Sequence, residues 1–271
     1  MRRVITVAEI YTAPVKSLAV QRRKAVQVGP QGIPEDRRFY LIDQRGRLLT
    51  QREMGRLTQI RASFDVASGQ LYLGFPDGQA LSAKVVLGPE VTTRIWGRRV
   101  QGNVLRGDWD TALSQFCGEP VMLAASESPG QCFDEFPVSL LSRASLQRLQ
   151  QQTENLGEEP AERPGDFDAC RFRPTFLLEN CEPHEEDSWI GRTLGLGKEL
   201  IIQVISQDPR CAIITHNPDT GDSDVDTLGL IRSYRPESAA AYFGVYAVVL
   251  HSGAVAAGDE IRLLETGLTP D

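Results

Sequence analysis

The chain has 271 residues, with 29 Lys or Arg against 36 Asp or Glu, a formal charge of −7, and 41% hydrophobic and 24% charged residues. That length gives room for one large domain or two modest ones of roughly 100–200 residues each, with a packed core. The acidic balance argues against a nucleic-acid-binding chain, whose phosphate-neutralising face calls for net basicity, and no window reaches the ~18 uninterrupted apolar residues of a membrane helix.

The N-terminus, MRRVITVAEIYTAPVKS, alternates apolar with polar residues and lacks the apolar run and small-residue cleavage site of an export signal. From there VITVAEIY, KAVQVG, RRFYLID, RLLTQR, LTQIRASFD, QLYLGF and TTRIWGRRVQGNVL read as short strands, separated by the turn signals DQRG, ASGQ and PDGQ. DTALSQFCG predicts a short helix capped near Asp110 and stopped at Gly118. SRASLQRLQQQ predicts a second, capped by Ser142, with Leu146 and Leu149 on one face. The acidic stretch from Thr153 to Ala169 carries two prolines and two glycines and reads as an exposed loop. Strands resume as FRPTFLLEN, ELIIQVIS, CAIITH and YFGVYAVVLHSG, with a short helix at TLGLIRSY and a closing turn and strand in AVAAGDEIRLL.

A soft boundary near residues 118–137 divides the chain into expected domains 1–120 and 121–271. The expected fold class is β-rich α+β, with two β-barrel-like units and a few peripheral helices. Five widely spaced cysteines, Cys117, Cys132, Cys170, Cys181 and Cys211, form no Cys-x-x-Cys pair. Reduced thiols in a soluble, cytoplasmic protein fit that pattern best.

Cys211 is the first candidate for chemistry. Arg210 precedes it, and a neighbouring cation favours the thiolate, the form that attacks and binds metals. The turn Asp208-Pro209-Arg210 would deliver Cys211 at a strand start; the plainer alternative is a buried cysteine acting as a small hydrophobe. Cations beside turns form a second set: Lys16 with Ser17, Arg37 with Arg38, and Arg171 with Arg173. On a strand, Arg171 and Arg173 would project from one face and suit a bidentate grip on a phosphate or carboxylate, although most such cations are solvated or paired. HEED, from His184 to Asp187, reads as a solvated turn rather than a metal site. His216 lies an odd number of residues beyond Cys211, which sets the two on opposite faces of an extended segment.

In order, YTAPVKS, EDRRFYLID, LLTQRE, FPVSLLSRASLQRL, FRPTFLLEN, EDSWIGRTLGLGKELIIQV, RCAIITHNPDTG and AVAAGDEIRLL resemble the MOSC family with its associated N-terminal β-barrel domain. The resemblance covers almost the whole chain. It implies a molybdenum cofactor in its molybdopterin form, with Cys211 as the protein's ligand to molybdenum, a role that suits a soft sulfur donor. Lys16, Ser17, Arg38, Arg171 and Arg173 match positions that contact the pterin and its phosphate, and Thr175 and Arg210 lie beside them. Thr175 replaces an Asn of the family pattern, and Glu135 and Phe136 stand where small hydroxyl residues are common. The implied activity is reduction of N-hydroxylated small molecules, N–OH to N–H. Electrons would come from a separate ferredoxin-, flavin- or cytochrome-type protein. The alternative is a non-redox carrier, in which Cys211 holds a persulfide or the fold hands on the cofactor.

Overall fold

The computed structural model describes residues 3–155, 167–236 and 240–264. Most of the acidic stretch between Thr153 and Ala169 therefore lies outside the described residues, at 156–166.

The first strand, β1 (Ile5–Thr12), is followed by the short β2 (Gln21–Arg23) and β3 (Ala25–Val28), then β4 (Phe39–Ile42) and β5 (Leu48–Leu49). A 3₁₀ turn at Gly55–Gln59 leads into a meander of β6 (Arg61–Asp65), β7 (Gln70–Gly74) and β8 (Ala80–Lys84). Next come the long hairpin of β9 (Leu87–Ile95) and β10 (Arg98–Leu105), helix α1 (Trp109–Cys117) and β11 (Met122–Ser126). The second half runs β12 (Val138–Ser142), α2 (Arg143–Asn155), β13 (Phe176–Glu179), β14 (Thr193–Leu196) and β15 (Leu200–Pro209). Helix α3 (Thr227–Tyr234) precedes β16 (Tyr242–His251), β17 (Gly253–Ala256) and β18 (Glu260–Leu264).

The strand order β13-β12-β16-β15-β14-β18-β1 closes through a further β1–β13 pairing, so seven strands form a barrel, with β2 attached to β1. A register shift between Val7 and Glu9 interrupts the alternation of β1, which leaves Val7 and Ile10 both buried in the barrel core with Leu140, Phe176, Leu194, Ile202 and Val245. β12 and β13 pair in parallel, which requires a crossover, and α2 lies on it. Ser142 caps α2 by accepting from the Ser145 amide at 3.1 Å, and Leu146 and Leu149 face inward, 3% and 0% exposed.

The other unit is a half-barrel: the sheet β5-β4-β11-β10-β9, with the meander β6-β7-β8 against it. Trp109, Leu113 and Cys117, spaced four apart on α1, pack into its core with Phe39, Leu41, Leu57 and Leu73. The β-rich α+β fold with two barrel-like units is what the structure shows, one closed and one open. The hydrogen-bonded sheets do not divide at residue 120. β1 completes the C-terminal barrel and β3 pairs with β17, whereas β11 joins the N-terminal sheet.

Three local expectations are corrected. CAIITH is no strand: β15 ends at Pro209 and Ala212–Thr215 is a 3₁₀ turn that buries Ile214. The residue before α1 is Asp108, without a side-chain cap, and Asp110 instead accepts from the Leu123 amide at 3.0 Å. HEED is not a solvated turn. Glu186 is 0% exposed and accepts from the Ser142 amide and the Ser145 hydroxyl. His184 bonds Tyr234 at 3.1 Å and Arg235 at 2.9 Å, and Asp187 pairs with Arg235. His184 and Asp187 thus share Arg235 while Glu185 pairs with Arg3, and among the described residues no cluster of three or more His, Cys, Asp or Glu could hold a metal.

The two units meet where the Gly55–Gln59 turn rests on the NPDTG turn. A Cβ built at Gly55 or at Gly221 would overlap the other's backbone, and Gln59 Nε2 donates to Thr220 O at 2.8 Å. Gly221 also has a φ of +82°. Gly221→Ala should therefore cost about 1–3 kcal/mol or more in urea unfolding, by overpacking this seam and straining the backbone. Burial, then the charges of Arg235 and Arg148, holds His184 down to about 4 from an ordinary 6.5. Between those pH values the folded chain binds fewer protons than the unfolded one, so this contribution to stability is lost as pH falls through the window. Urea midpoints should drop from pH 6.5 towards 4 in the wild type, with a shallower slope in His184→Gln.

Candidate functional site

A cleft of about 520 Å³ opens where the barrel faces the half-barrel. Of the residues singled out from the sequence, Cys211, Lys16, Ser17, Arg171, Arg173, Thr175 and Arg210 all line it, and Arg38 does not.

β1 leads directly to Lys16 and Ser17. Past Thr12 the chain turns at Pro14, Val15 bridges to Phe39, and the Lys16 amide donates to Phe39 O at 2.8 Å. Ser17 is held at a φ of +73°. The Lys16 ammonium is buried; it donates to Cys132 O at 3.0 Å and pairs with Asp134 at 2.7 Å. Burial lowers the pKa of Lys16, and Asp134 partly offsets that. For Asp134 burial acts upward, yet Lys16 and Arg37 together hold the carboxyl well below its usual range.

Arg171 and Arg173 reach the cleft without a strand. Arg171 ends a 3₁₀ turn, Ala169–Arg171, capped by Asp168, and Arg173 has a φ of +53°. Arg171 grips Asp224 with two bonds of 2.8 and 2.9 Å. Arg173 donates to Leu18 O at 2.8 Å and, among the described residues, forms no ion pair. Burial first, then the charge of Arg37, lowers its pKa to about 10. An anion bound here would relieve that strain. Arg37, on the cleft wall, pairs with Asp36. Arg38, one residue on, turns away and donates to the carbonyl and hydroxyl of Ser126. The expectation from the sequence was Arg38; it is Arg37 that lines the cleft, in a turn ahead of β4 with a φ of +48°.

Cys211 is half-buried and extended, with φ −125°, just past the end of β15 rather than at a strand start. The Ile214 amide donates to its carbonyl at 3.2 Å, which ties it to the following 3₁₀ turn. Arg210 does not serve the thiol. Its guanidinium pairs with buried Asp208 at 2.8 Å and donates to Phe243 O at 2.7 Å and Phe172 O at 2.8 Å, so it clamps the loop behind Cys211. Burial raises the Asp208 carboxyl to about 6 against the pull of Arg210, and the Tyr246 hydroxyl is bonded to it. Thr175 accepts from the Ser139 amide at 3.1 Å. Glu135 and Phe136 also line the cleft, and Phe136 packs 5.7 Å from the Tyr246 ring. His216 lines a neighbouring groove instead, so no Cys211–His216 pair forms.

Sequence reading misses Gln51, Trp96, Asp134, Asp208 and Tyr246, because each enters the cleft only through tertiary packing. Gln51 is 3% exposed, and among the described residues its Oε1 has no hydrogen-bond partner. A buried acceptor left open calls for an N–H donor from a ligand. The cleft thus offers a thiol, the buried guanidinium of Arg173 without an ion pair, and an open amide acceptor to an anionic ligand with N–H groups. Removing Arg210 would leave Asp208 buried without its cation. Arg210→Ala should therefore destabilise the chain by about 3–5 kcal/mol in urea unfolding.

Residues 118–262 match the model of the MOSC domain, and residues 4–120 that of the MOSC N-terminal beta barrel domain. The chain is 27% identical to the Homo sapiens mitochondrial amidoxime-reducing component 1 over 301 aligned positions, covering 97% of this chain and 84% of that protein. It is 26% identical to the Danio rerio molybdenum cofactor sulfurase, covering 89% of this chain and 31% of that longer protein. Among solved structures, the YUAD protein from Bacillus subtilis aligns over 96% of both chains at 12% identity, with a TM-score of 0.42. With one model matching over half of its length and the other meeting it at residues 118–120, the chain belongs to the MOSC family and carries the MOSC N-terminal beta barrel domain ahead of the MOSC domain.

Proposed function

We propose that this protein is a molybdenum-cofactor-dependent reductase of N-hydroxylated small molecules, with the Cys211 thiolate as its ligand to the metal. The observation that carries this reading is the convergence of a half-buried thiol, the ion-pair-free Arg173 and the open acceptor of Gln51 on one cleft. Curated relatives that cover most of the chain are named amidoxime-reducing components.

When bound, the cofactor supplies the two-electron removal of oxygen, and the protein supplies position and protons. Cys211 would give a soft donor. Arg173, with Arg37 beside it, would meet the phosphate; Lys16, Ser17 and Thr175 line the same wall, and Gln51 Oε1 would accept from a pterin N–H. Arg171 and Arg210, held by Asp224 and Asp208, would act as supports. Converting N–OH to N–H with release of water consumes two electrons and two protons. Asp208, with a carboxyl near 6 and the Tyr246 hydroxyl on it, can hold one of those protons in the cleft. The electrons would come from a separate electron-transfer protein. Five free thiols suit a cytoplasmic setting, and among the described residues no helix is long and apolar enough to cross a membrane.

The test is the molybdenum and pterin content of protein from a cofactor-producing host, wild type beside Cys211→Ser. We expect about one metal per chain in the wild type, and altered metal content or coordination in the variant. Turnover with a chemical electron donor should be lost in Cys211→Ser, while stability shifts by only ~1–2 kcal/mol. If both proteins lack metal and pterin although the host's own molybdoenzymes are loaded, the reductase reading fails. Sulfane sulfur on a metal-free Cys211 would point to a carrier.

A further inference from the structure

The tip of the β9–β10 hairpin breaks three local rules at once. Its two-residue loop, Trp96-Gly97, has both φ angles positive, +47° and +84°. That turn favours Asn or Gly at its first position, and a bulky residue with positive φ is an outlier. The Trp96 side chain stays 39% exposed, an unusual place for a large aromatic surface. Just behind the tip, Arg94 and Arg99 sit directly opposite each other across the strands, both exposed, where like charges repel. A third exposed cation, Arg52, holds its guanidinium 4.2 Å over the Trp96 ring. Among the described residues Arg52, Arg94 and Arg99 form no ion pair.

The exposed indole and the facing arginines are each unfavourable for the isolated chain, and both would be relieved by one partner. Carboxylates would neutralise the arginines, and a covering surface would bury the indole. Trp and Arg are also the side chains most often found as anchors in interfaces. Position adds the reason for a partner: Trp96 and Arg52 line the mouth of the Cys211 cleft. The chain as a whole is acidic, at −7, so this patch is a local exception that would steer an acidic surface to that mouth.

We propose that the Trp96 hairpin tip, with Arg52, Arg94 and Arg99, is the docking surface for an acidic electron-transfer protein. This rests on the redox reading of the cleft. Each encounter would oxidise one reduced iron–sulfur centre by one electron, so two encounters and two protons serve one N–OH reduction that releases water.

A plant-type [2Fe–2S] ferredoxin, an acidic protein, is the probe. Its binding is read by isothermal titration calorimetry. The wild-type holoprotein should bind at low salt and lose about tenfold or more in affinity when salt is raised past the screening range. The double variant Arg94→Glu, Arg99→Glu should bind at least about tenfold more weakly at low salt, yet keep turnover with dithionite within about twofold, since neither residue lines the cleft. Equal binding by the two proteins, or none by the wild type at low salt, overturns the surface. So does a DNA duplex that binds the wild type more tightly than the ferredoxin and is lost with the same reversal. Absence of dithionite turnover in cofactor-loaded wild type defeats the redox reading alone, and the binding arms still decide the surface.

Discussion

The structure depends on one strand being bonded on both sides. β1 pairs with β13 along one edge and with β18 along the other, and these ladders close the C-terminal barrel. Without β1 the barrel would be an open sheet with two exposed edges, which folded chains avoid because unpaired backbone groups recruit other strands. The same strand then runs out of the barrel as Ala13-Pro14-Val15-Lys16-Ser17 and is caught by Phe39 of the other unit. Barrel closure and the placing of Lys16 are therefore one event, and the cleft forms beside the point where the chain crosses from one unit to the other.

Around that cleft, charge is used mainly to hold shape. Arg171 on Asp224, Arg210 on Asp208 and Lys16 on Asp134 are buried or nearly so on the cation side. Buried pairs of this kind add little net stability, since desolvation consumes much of the Coulomb gain; their effect is to make one arrangement strongly preferred. Arg173 stands apart, with a carbonyl for a partner and another guanidinium nearby. It is a buried guanidinium whose charge no carboxylate pairs among the described residues, and Gln51 is its counterpart in hydrogen bonding.

The Pro-Asp-Thr-Gly turn after Cys211 gains a physical role from the seam. Gly221 lies where no side chain fits, against Gly55. The segment that carries the thiol is thus pinned at one end by the Arg210 clamp and at the other by contact with the N-terminal unit. A thiol at the head of a short 3₁₀ turn, in a segment held from both ends, is pre-positioned.

Period and composition alone were enough for the β-rich class, for most strands, and for all three helices within a few residues, because alternation and capping are local properties of the chain. The family resemblance of its motifs, and not period or composition, brought Lys16, Ser17, Arg38, Arg171, Arg173, Thr175, Arg210 and Cys211 forward as a set; of these the structure brings all but Arg38 to the cleft. What local pattern could not carry is which neighbour of a pair turns inward, as with Arg37 and Arg38, or whether a polar run is solvated, as with Glu186 at 0% exposure. It could not assign β1 to the far barrel or β11 to the near one, since the ladders of β1 with β13 and of β11 with β4 join residues far apart in the sequence and leave no periodic trace in either segment. Nor could it find Gln51, Trp96 and Asp208. Each is unremarkable in its own segment and acquires meaning only when the packing of two units removes its water and chooses its partners.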